Sequence, residues 1–424
     1  LLMLLCRTII ASAFWLSIRA GASLKISGVA YDRGLPRTYL GMTHKRDIDP
    51  FLLVPTIIFH RGWRALVSGV YFALRGDAFT RGFLARMVVH PSWLARALHP
   101  LTLGSVLRWL GTYPIEGLQR PAEEWIREVL NSAGDLPAAS ILAPAFVRDF
   151  AQATHLAPEQ VSQLPLSRLL GWRYHQALQR FCGMEILQRA GRRPVERRVI
   201  ERIHMHLADV ARCFWQGGSF FGSPEGQLSS DGRISSMHAG FHRTVRAAPP
   251  DLRVVPISLI YDFMTSGRQR IFADFAPALE YAAKLPLDEL DARLRRAWLL
   301  RAHFTCTQLA SGFLVNRQRS TALVFTRDDL AQAVYQQARE LAAVGRHVDP
   351  QLLRFSGASK RARQYLTYVE RRGLVRCLSP ERWQITFDEL AIHVSPREVA
   401  YNDAPLLYAY NELQDLLSVS MAEN

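Results

Sequence analysis

Paired cysteines are what the chain most clearly lacks. Five cysteines (Cys6, Cys182, Cys213, Cys306 and Cys377) are scattered over 424 residues with no paired spacing. That excludes a disulfide framework and a thiolate zinc pattern, and it points to a reducing compartment. Acidic residues are also scarce: 37 Asp and Glu stand against 52 Lys and Arg, mostly Arg, for a net charge of +15. Such a field attracts polyanions, whether nucleic acid, anionic lipid headgroups, acidic carriers or phosphorylated substrates. Clean apolar runs of membrane-spanning length are missing too. Residues 1–18 are nearly all apolar but short, and Arg7 interrupts them. Residues 51–74 are apolar-rich but carry His60, Arg61 and Arg64 in the middle. No small-residue cleavage site follows a charged region, so no signal peptide is expected. Residues 1–22 are read instead as a membrane-associating helix lying in an interface, with a buried core helix as the other reading. Repeats and low-complexity segments are absent.

What the chain does have is room for a large core. An apolar fraction of 49% over 424 residues suits a globular protein of two or three domains. Residues 24–31 alternate as a strand does, and Tyr39-Leu40-Gly41-Met42 leads a second strand to Thr43-His44. Residues 51–74 read as helix, 71–83 as a strand entering a loop, and 92–110 as helix around Pro100. Tyr113-Pro114-Ile115 reads as a short strand. Residues 118–210 are polar, Arg-rich and helical in spacing, and their last long helix stops at Gly217-Gly218. Two strands follow: Ser219–Gly222 and the strongly apolar run 252–261. IFADFAPAL is a further strand and turn. From about Leu287 the pattern is helical. A basic helix, SKRARQYLTYVERRGLV, then precedes the hairpin RCLSPERWQITFD, which is compatible with a winged-helix-like module. Strands alternating with helices predict an α/β fold: a twisted, largely parallel or mixed sheet flanked by helices, with a helical insertion and a mainly helical C-terminal domain.

The chemistry centres on residues 37–50, RTYLGMTHKRDIDP. The spacing predicts that a buried strand delivers His44 to its carboxyl end and that a helix starts near Asp49-Pro50, with Asp as cap and Pro at the first helical position. A carboxylate there can hold the imidazole in one tautomer, and a neutral, oriented imidazole can take a proton from a hydroxyl. Asp49 is the preferred partner and Asp47, three residues after His44, the competitor. A Pro224-Glu225-Gly226 loop follows an aromatic strand, and Val254-Val255-Pro256-Ile257-Ser258 comes some way behind it.

These stretches in this order resemble the glycerolipid acyltransferase family, which includes the 1-acylglycerol-3-phosphate and glycerol-3-phosphate O-acyltransferases. His44 and Asp49 look like its first block, LRWLGTYPI (107–115) its second, SFFGSPEGQLSSDGR (219–233) its third and VVPIS (254–258) its fourth. The resemblance implies transfer of an acyl chain from acyl-CoA or acyl-carrier protein to a hydroxyl of glycerol-3-phosphate or a lysophospholipid, with lysophosphatidic acid favoured. It implies His44 as general base and Asp49 as its orienting partner. It places Gly111, Ile115, Glu225, Gly226 and Pro256 at the substrate site. Glu225 would accept from a hydroxyl, Gly226 would allow close backbone approach, and Pro256 would shape the acyl channel. No cofactor and no metal are implied beyond the thioester co-substrate. Two family arginines are displaced. Gly117 stands where one is usual, with Arg120 nearby, and Gln227-Leu228-Ser229 replaces the other, with Arg233 next. Either Arg120 and Arg233 reach the acceptor phosphate from shifted loops, or the acceptor has a different head; a non-catalytic lipid binder on the same fold is the remaining alternative.

The expected organisation is a membrane-associating helix over 1–22 and an acyltransferase core over 23–118 and 205–280. A helical insertion covers 119–204 and a mainly helical C-terminal domain 281–424. The expected partners are the acyl donor, a glycerolipid acceptor and an anionic membrane surface rather than nucleic acid. The expected location is the cytoplasmic face of the cell inner membrane, held peripherally or by the N-terminal helix.

Overall fold

The computed structural model describes residues 5, 6, 8, 9, 12, 13, 16, 21–28, 37–45, 49, 70–75, 97, 104–109, 111–115, 121–178, 180, 181, 183–226, 228, 229, 231–387 and 404–419. They divide into two compact units: residues 1–70 with 213–424, and residues 71–212.

The first unit is built on a mixed sheet. Its strands are β1 (Ala22–Gly28), β2 (Thr38–Met42), β3 (Ser219–Gly222), β4 (Arg253–Asp262) and β5 (Gln269–Phe275), in the spatial order β1-β5-β4-β2-β3. Every neighbouring pair is parallel except β4 with β5. β2 reads Thr-Tyr-Leu-Gly-Met with no polar alternation, and all five residues are buried. A strand with neighbours on both sides and cover on both faces has no wet face to keep polar. β4 follows the same rule, with only Arg253 partly exposed, whereas the outermost strand β1 is largely half-exposed. Pro256 sits inside β4, opposite Gly41 of β2. A proline normally costs a ladder donor. Here the ladder with β5 begins only at Ile257, and the Pro256 carbonyl still accepts from the Ala276 N–H at 2.9 Å. Tyr39 of β2 anchors an aromatic cluster with Phe214, Phe220 and Phe241, at centroid distances of 6.2, 5.7 and 4.8 Å.

Helices α1 (Ala239–Ala247), α2 (Leu287–Arg301) and α3 (Cys306–Arg319) follow in the same unit, and α2 and α3 pack against β4. Beyond them come β6 (Val324–Thr326), α4 (Arg327–Ala343), α5 (Phe355–Arg371), β7 (Val375–Ser379), β8 (Arg382–Ile385) and α6 (Pro405–Leu417). β7 and β8 form the expected hairpin, and β6 joins it antiparallel in the order β6-β8-β7. α3, α4 and α5 pack on one another beside this sheet.

The second unit contains a parallel strand pair, Val70–Arg75 with Thr112–Ile115, a helix over Gly104–Trp109, and a cluster of helices. Its core gathers Trp125, Phe146, Phe150, Leu166, Leu178 and Val199 among others. A buried His175–Glu123 pair at 2.8 Å lies within it. The helix Arg189–Trp215 runs out of this unit. One expectation needs correcting. The helix read over 51–74 does not cover residues 70–74, because Val-Tyr-Phe-Ala-Leu forms a strand once a parallel partner is present. Residues 51–69 lie outside the described residues.

Candidate active site

The site starts where β2 ends. Thr43 prolongs the pairing with β4 through both its backbone and its side chain: its N–H donates to the Ile257 carbonyl at 3.1 Å, and its Oγ1 accepts from the Leu259 N–H at 3.0 Å. The exit direction of the chain is thereby set, and His44 comes next. Its N–H donates to Glu225 Oε1 at 2.8 Å, and its carbonyl accepts from the Ser229 N–H at 3.0 Å. Both backbone groups of His44 are therefore held by the Pro-Glu-Gly loop and its continuation.

The side chain of His44 points Nδ1 at Asp49 Oδ2, 3.2 Å away. Asp49 is fully buried. Oδ2 also accepts the Lys45 N–H at 2.6 Å, and Oδ1 accepts a close hydrogen bond from the Tyr261 hydroxyl at the end of β4. A carboxylate fixed by three donors cannot swing, so it dictates the orientation of the ring. The imidazole keeps 13% of its side-chain surface exposed. With Nδ1 committed to Asp49, Nε2 is the nitrogen left to act as a base.

Glu225 does something other than what the sequence suggested. It is 2% exposed, and Oε2 accepts the Ser235 N–H at 2.8 Å while Oε1 serves His44. It braces the loop behind His44 rather than facing an acceptor hydroxyl. Burial pushes its carboxyl above the ordinary range, against the pull of Lys45 and of the His44 and Ser235 N–H groups. Gly226 is exposed and adopts φ +69°, and a Cβ there would lie 2.8 Å from the His238 side chain. The turn therefore requires glycine. Pro224 packs on Gly41, where an added Cβ would meet it at 3.1 Å.

Lys45 turns away from the ring into the protein. Its Nζ lies 2.9 Å from the Gly232 carbonyl and 3.1 Å from Glu412 Oε1 of α6. Burial alone would lower the ammonium's pKa, but Glu412, Tyr408 and Glu225 outweigh it and hold the group protonated. α6 also receives the loop at Asp415, which accepts the Ile234 N–H at 2.8 Å and pairs with Arg295 at 2.7 Å. Gly232 passes so close to α6 that a Cβ would fall 2.2 Å from the Tyr408 carbonyl.

The structure thus brings together His44, Asp49, Glu225 and Gly226, while Pro256 of β4 lies opposite Gly41 of β2. Arg233 is exposed; its carbonyl accepts from Ser229 Oγ at 2.8 Å, so its backbone belongs to the loop bonded to His44. Gly111, with φ +79°, and Ile115, the last residue of its strand, belong to the second unit. Arg120 and Asp47 lie outside the described residues. Tyr261, Lys45, Ser235 and Glu412 were not anticipated. The single available signal was Tyr261, a hydroxyl ending an otherwise apolar strand.

No family model and no curated protein matches the chain. Among solved structures the chain is similar to the 1-acyl-sn-glycerophosphate (LPA) acyltransferase from Thermotoga maritima, at 10% identity and a TM-score of 0.34, over 69% of this chain and 76% of that one.

Proposed function

We propose that the chain is an O-acyltransferase that moves an acyl group from acyl-CoA or acyl-carrier protein to a glycerolipid hydroxyl, with lysophosphatidic acid as the favoured acceptor. The observation that carries this reading is the His44–Asp49–Tyr261 relay: a buried, thrice-bonded carboxylate locks Nδ1 and leaves Nε2 of a partly exposed imidazole free. An alcohol is a poor nucleophile at neutral pH and needs such a base, worth about 10²–10⁴-fold. Nε2 takes the hydroxyl proton as the oxygen attacks the thioester carbon. The tetrahedral adduct then collapses, the C–S bond breaks, and the imidazolium returns its proton to the leaving thiolate. Asp49 stabilises the imidazolium between the two steps. The order of the four sequence blocks supports glycerolipid as the acceptor class.

The same reading places the protein at an anionic membrane surface, on the cytoplasmic face of the inner membrane. Leu5, Ile9 and Leu16 are helical and exposed at 54, 58 and 66%, as apolar residues that meet a membrane interface would be. Among the described residues no helix is long and apolar enough to cross a membrane.

The test is thiol release from acyl-CoA and acyl-carrier protein with a panel of acceptors: lysophosphatidic acid, glycerol-3-phosphate, other lysolipids and neutral alcohols. Acceptor-dependent release, lost by about 10²–10⁴-fold in His44→Ala, is the expected result. No acceptor-dependent turnover across the panel overturns the proposal.

A further inference from the structure

Away from His44, three side chains from three separate segments of the first unit converge on one point. Asp274, near the end of β5, is 1% exposed and lies in register with Ser258 of β4 and Ser27 of β1. His303 follows α2, and His347 follows α4. The two histidine segments run side by side. Phe304 and Val348 form a parallel bridge, with the Phe304 N–H on the His347 carbonyl at 2.8 Å and the Asp349 N–H on the Phe304 carbonyl at 2.9 Å. That pairing presents both imidazoles to β5. Their Nδ1 atoms lie 3.9 and 3.3 Å from the same oxygen, Asp274 Oδ2. Phe272 stacks on the His303 ring at 4.7 Å and 20°, which fixes its plane. One donor atom from each of the three residues lies within 4.8 Å of the other two.

The cluster is not satisfied by its own hydrogen bonds. Ser27 Oγ donates to Asp274 Oδ2 at 3.1 Å, but Asp274 Oδ1 and His303 Nδ1 are buried and bond to nothing. Native proteins rarely leave such atoms unmet, and here two lie side by side. Gly28 lies close beside Asp274, where an added Cβ would stand 2.1 Å from the Phe275 carbonyl and 2.5 Å from Asp274 Oδ1. His347 is 32% exposed, which opens a route from solvent. Arg270, the nearest cation on β5, is already paired with Asp349; Arg301 also bears on Asp274.

We propose that Asp274, His303 and His347 bind a divalent transition-metal ion of the zinc class, with water completing the coordination. Two imidazoles and one carboxylate suit zinc, cobalt or nickel; calcium and magnesium require oxygen donors. The ion would cross-link β5 to the segments that follow α2 and α4. β5 is two strands from β2, roughly 10 Å at ordinary strand spacing, so the ion would act on stability, independently of the acceptor used at His44.

The experiment uses the full-length protein, stripped with a chelator and titrated with Co(II) while visible absorption is followed. The expected result is one equivalent of Co(II) giving ligand-field bands, displaced by Zn(II). His347→Ala removes a half-exposed side chain and leaves folding intact by circular dichroism; Asp274→Asn keeps the side-chain shape. Each should weaken binding by at least about tenfold, while His44→Ala should bind as the unaltered protein does. Absence of bands, equal affinity in His347→Ala and Asp274→Asn, or loss of bands in His44→Ala would overturn the proposal.

Discussion

At the scale of single residues, the site is a set of hydrogen bonds that each remove one freedom from His44. Its ring is set by Asp49, Asp49 is set by Tyr261 and the Lys45 N–H, and its backbone is set by Glu225 and Ser229. Tyr261→Phe keeps the packing and removes one donor from a buried carboxylate. A hydrogen bond to a charged group is worth about 1.5–3 kcal/mol. Acceptor-dependent thiol release should therefore fall by roughly tenfold or more with KM little changed, and steady-state kinetics on purified protein would show it. An unchanged kcat would mean that Asp49 is held without Tyr261. His44 and Asp49 were legible in the sequence because they are five residues apart and both follow the end of a strand. Glu225 was legible as a site residue but not in its task. Its two partners are backbone N–H groups, one of them 181 residues away, and backbone donors leave no mark in a sequence. Lys45 is one of only four lysines, with Lys25, Lys284 and Lys360. Even so, nothing near it announces Glu412.

At the scale of elements, apolar strands were easy to read and short or mixed ones were not. β2, β3 and β4 are continuous apolar runs because they are covered on both faces. β6 has three residues and exists only through its pairing with β8. Its following helix is better marked: Thr326 and Asp329 form a capping box, each accepting the other's N–H at 3.0 and 2.8 Å. Thr326→Ala should cost about 1 kcal/mol. The Thr326 hydrogen bonds hold the Asp329 carboxyl below its ordinary value of 3.8. Its contribution is therefore present above that value and lost as pH falls through the lowered one. The difference in urea midpoint between Asp329→Ala and the unaltered protein should narrow as pH drops below 3.8, whereas Thr326→Ala keeps the backbone N–H that donates to Asp329. α5 is docked differently, by Arg361 closing on Asp262 of β4, both nearly inaccessible. Thr307 fills the other oxygen of Asp262 at 2.7 Å. Arg361→Leu strands that carboxylate without a cation and should lower stability by about 3–5 kcal/mol in urea unfolding. A loss under 1 kcal/mol would show that the Arg361–Asp262 pair does not hold α5 in place.

At the scale of the whole molecule, a charge of +15 and the exposed apolar residues Leu5, Ile9 and Leu16 predict a membrane affinity with two separable parts. Pelleting with anionic vesicles should weaken as salt rises, because surface charges are screened beyond a Debye length of about 8 Å at physiological ionic strength. Deleting residues 1–22 should remove the part that survives high salt; a truncated protein that still pellets at high salt would place the apolar affinity elsewhere. The clamp made by α6 has a consequence in time. Lys45 adjoins His44, yet the carboxylate that neutralises it belongs to residues 405–417. A ribosome that has released His44 and Asp49 has still to translate more than three hundred residues before Glu412 exists. Until then the ammonium has no place to be buried, and the loop through Gly232 has no surface to lie on. The packing around Lys45 and Gly232 is thus completed only once residues 405–417 have been made.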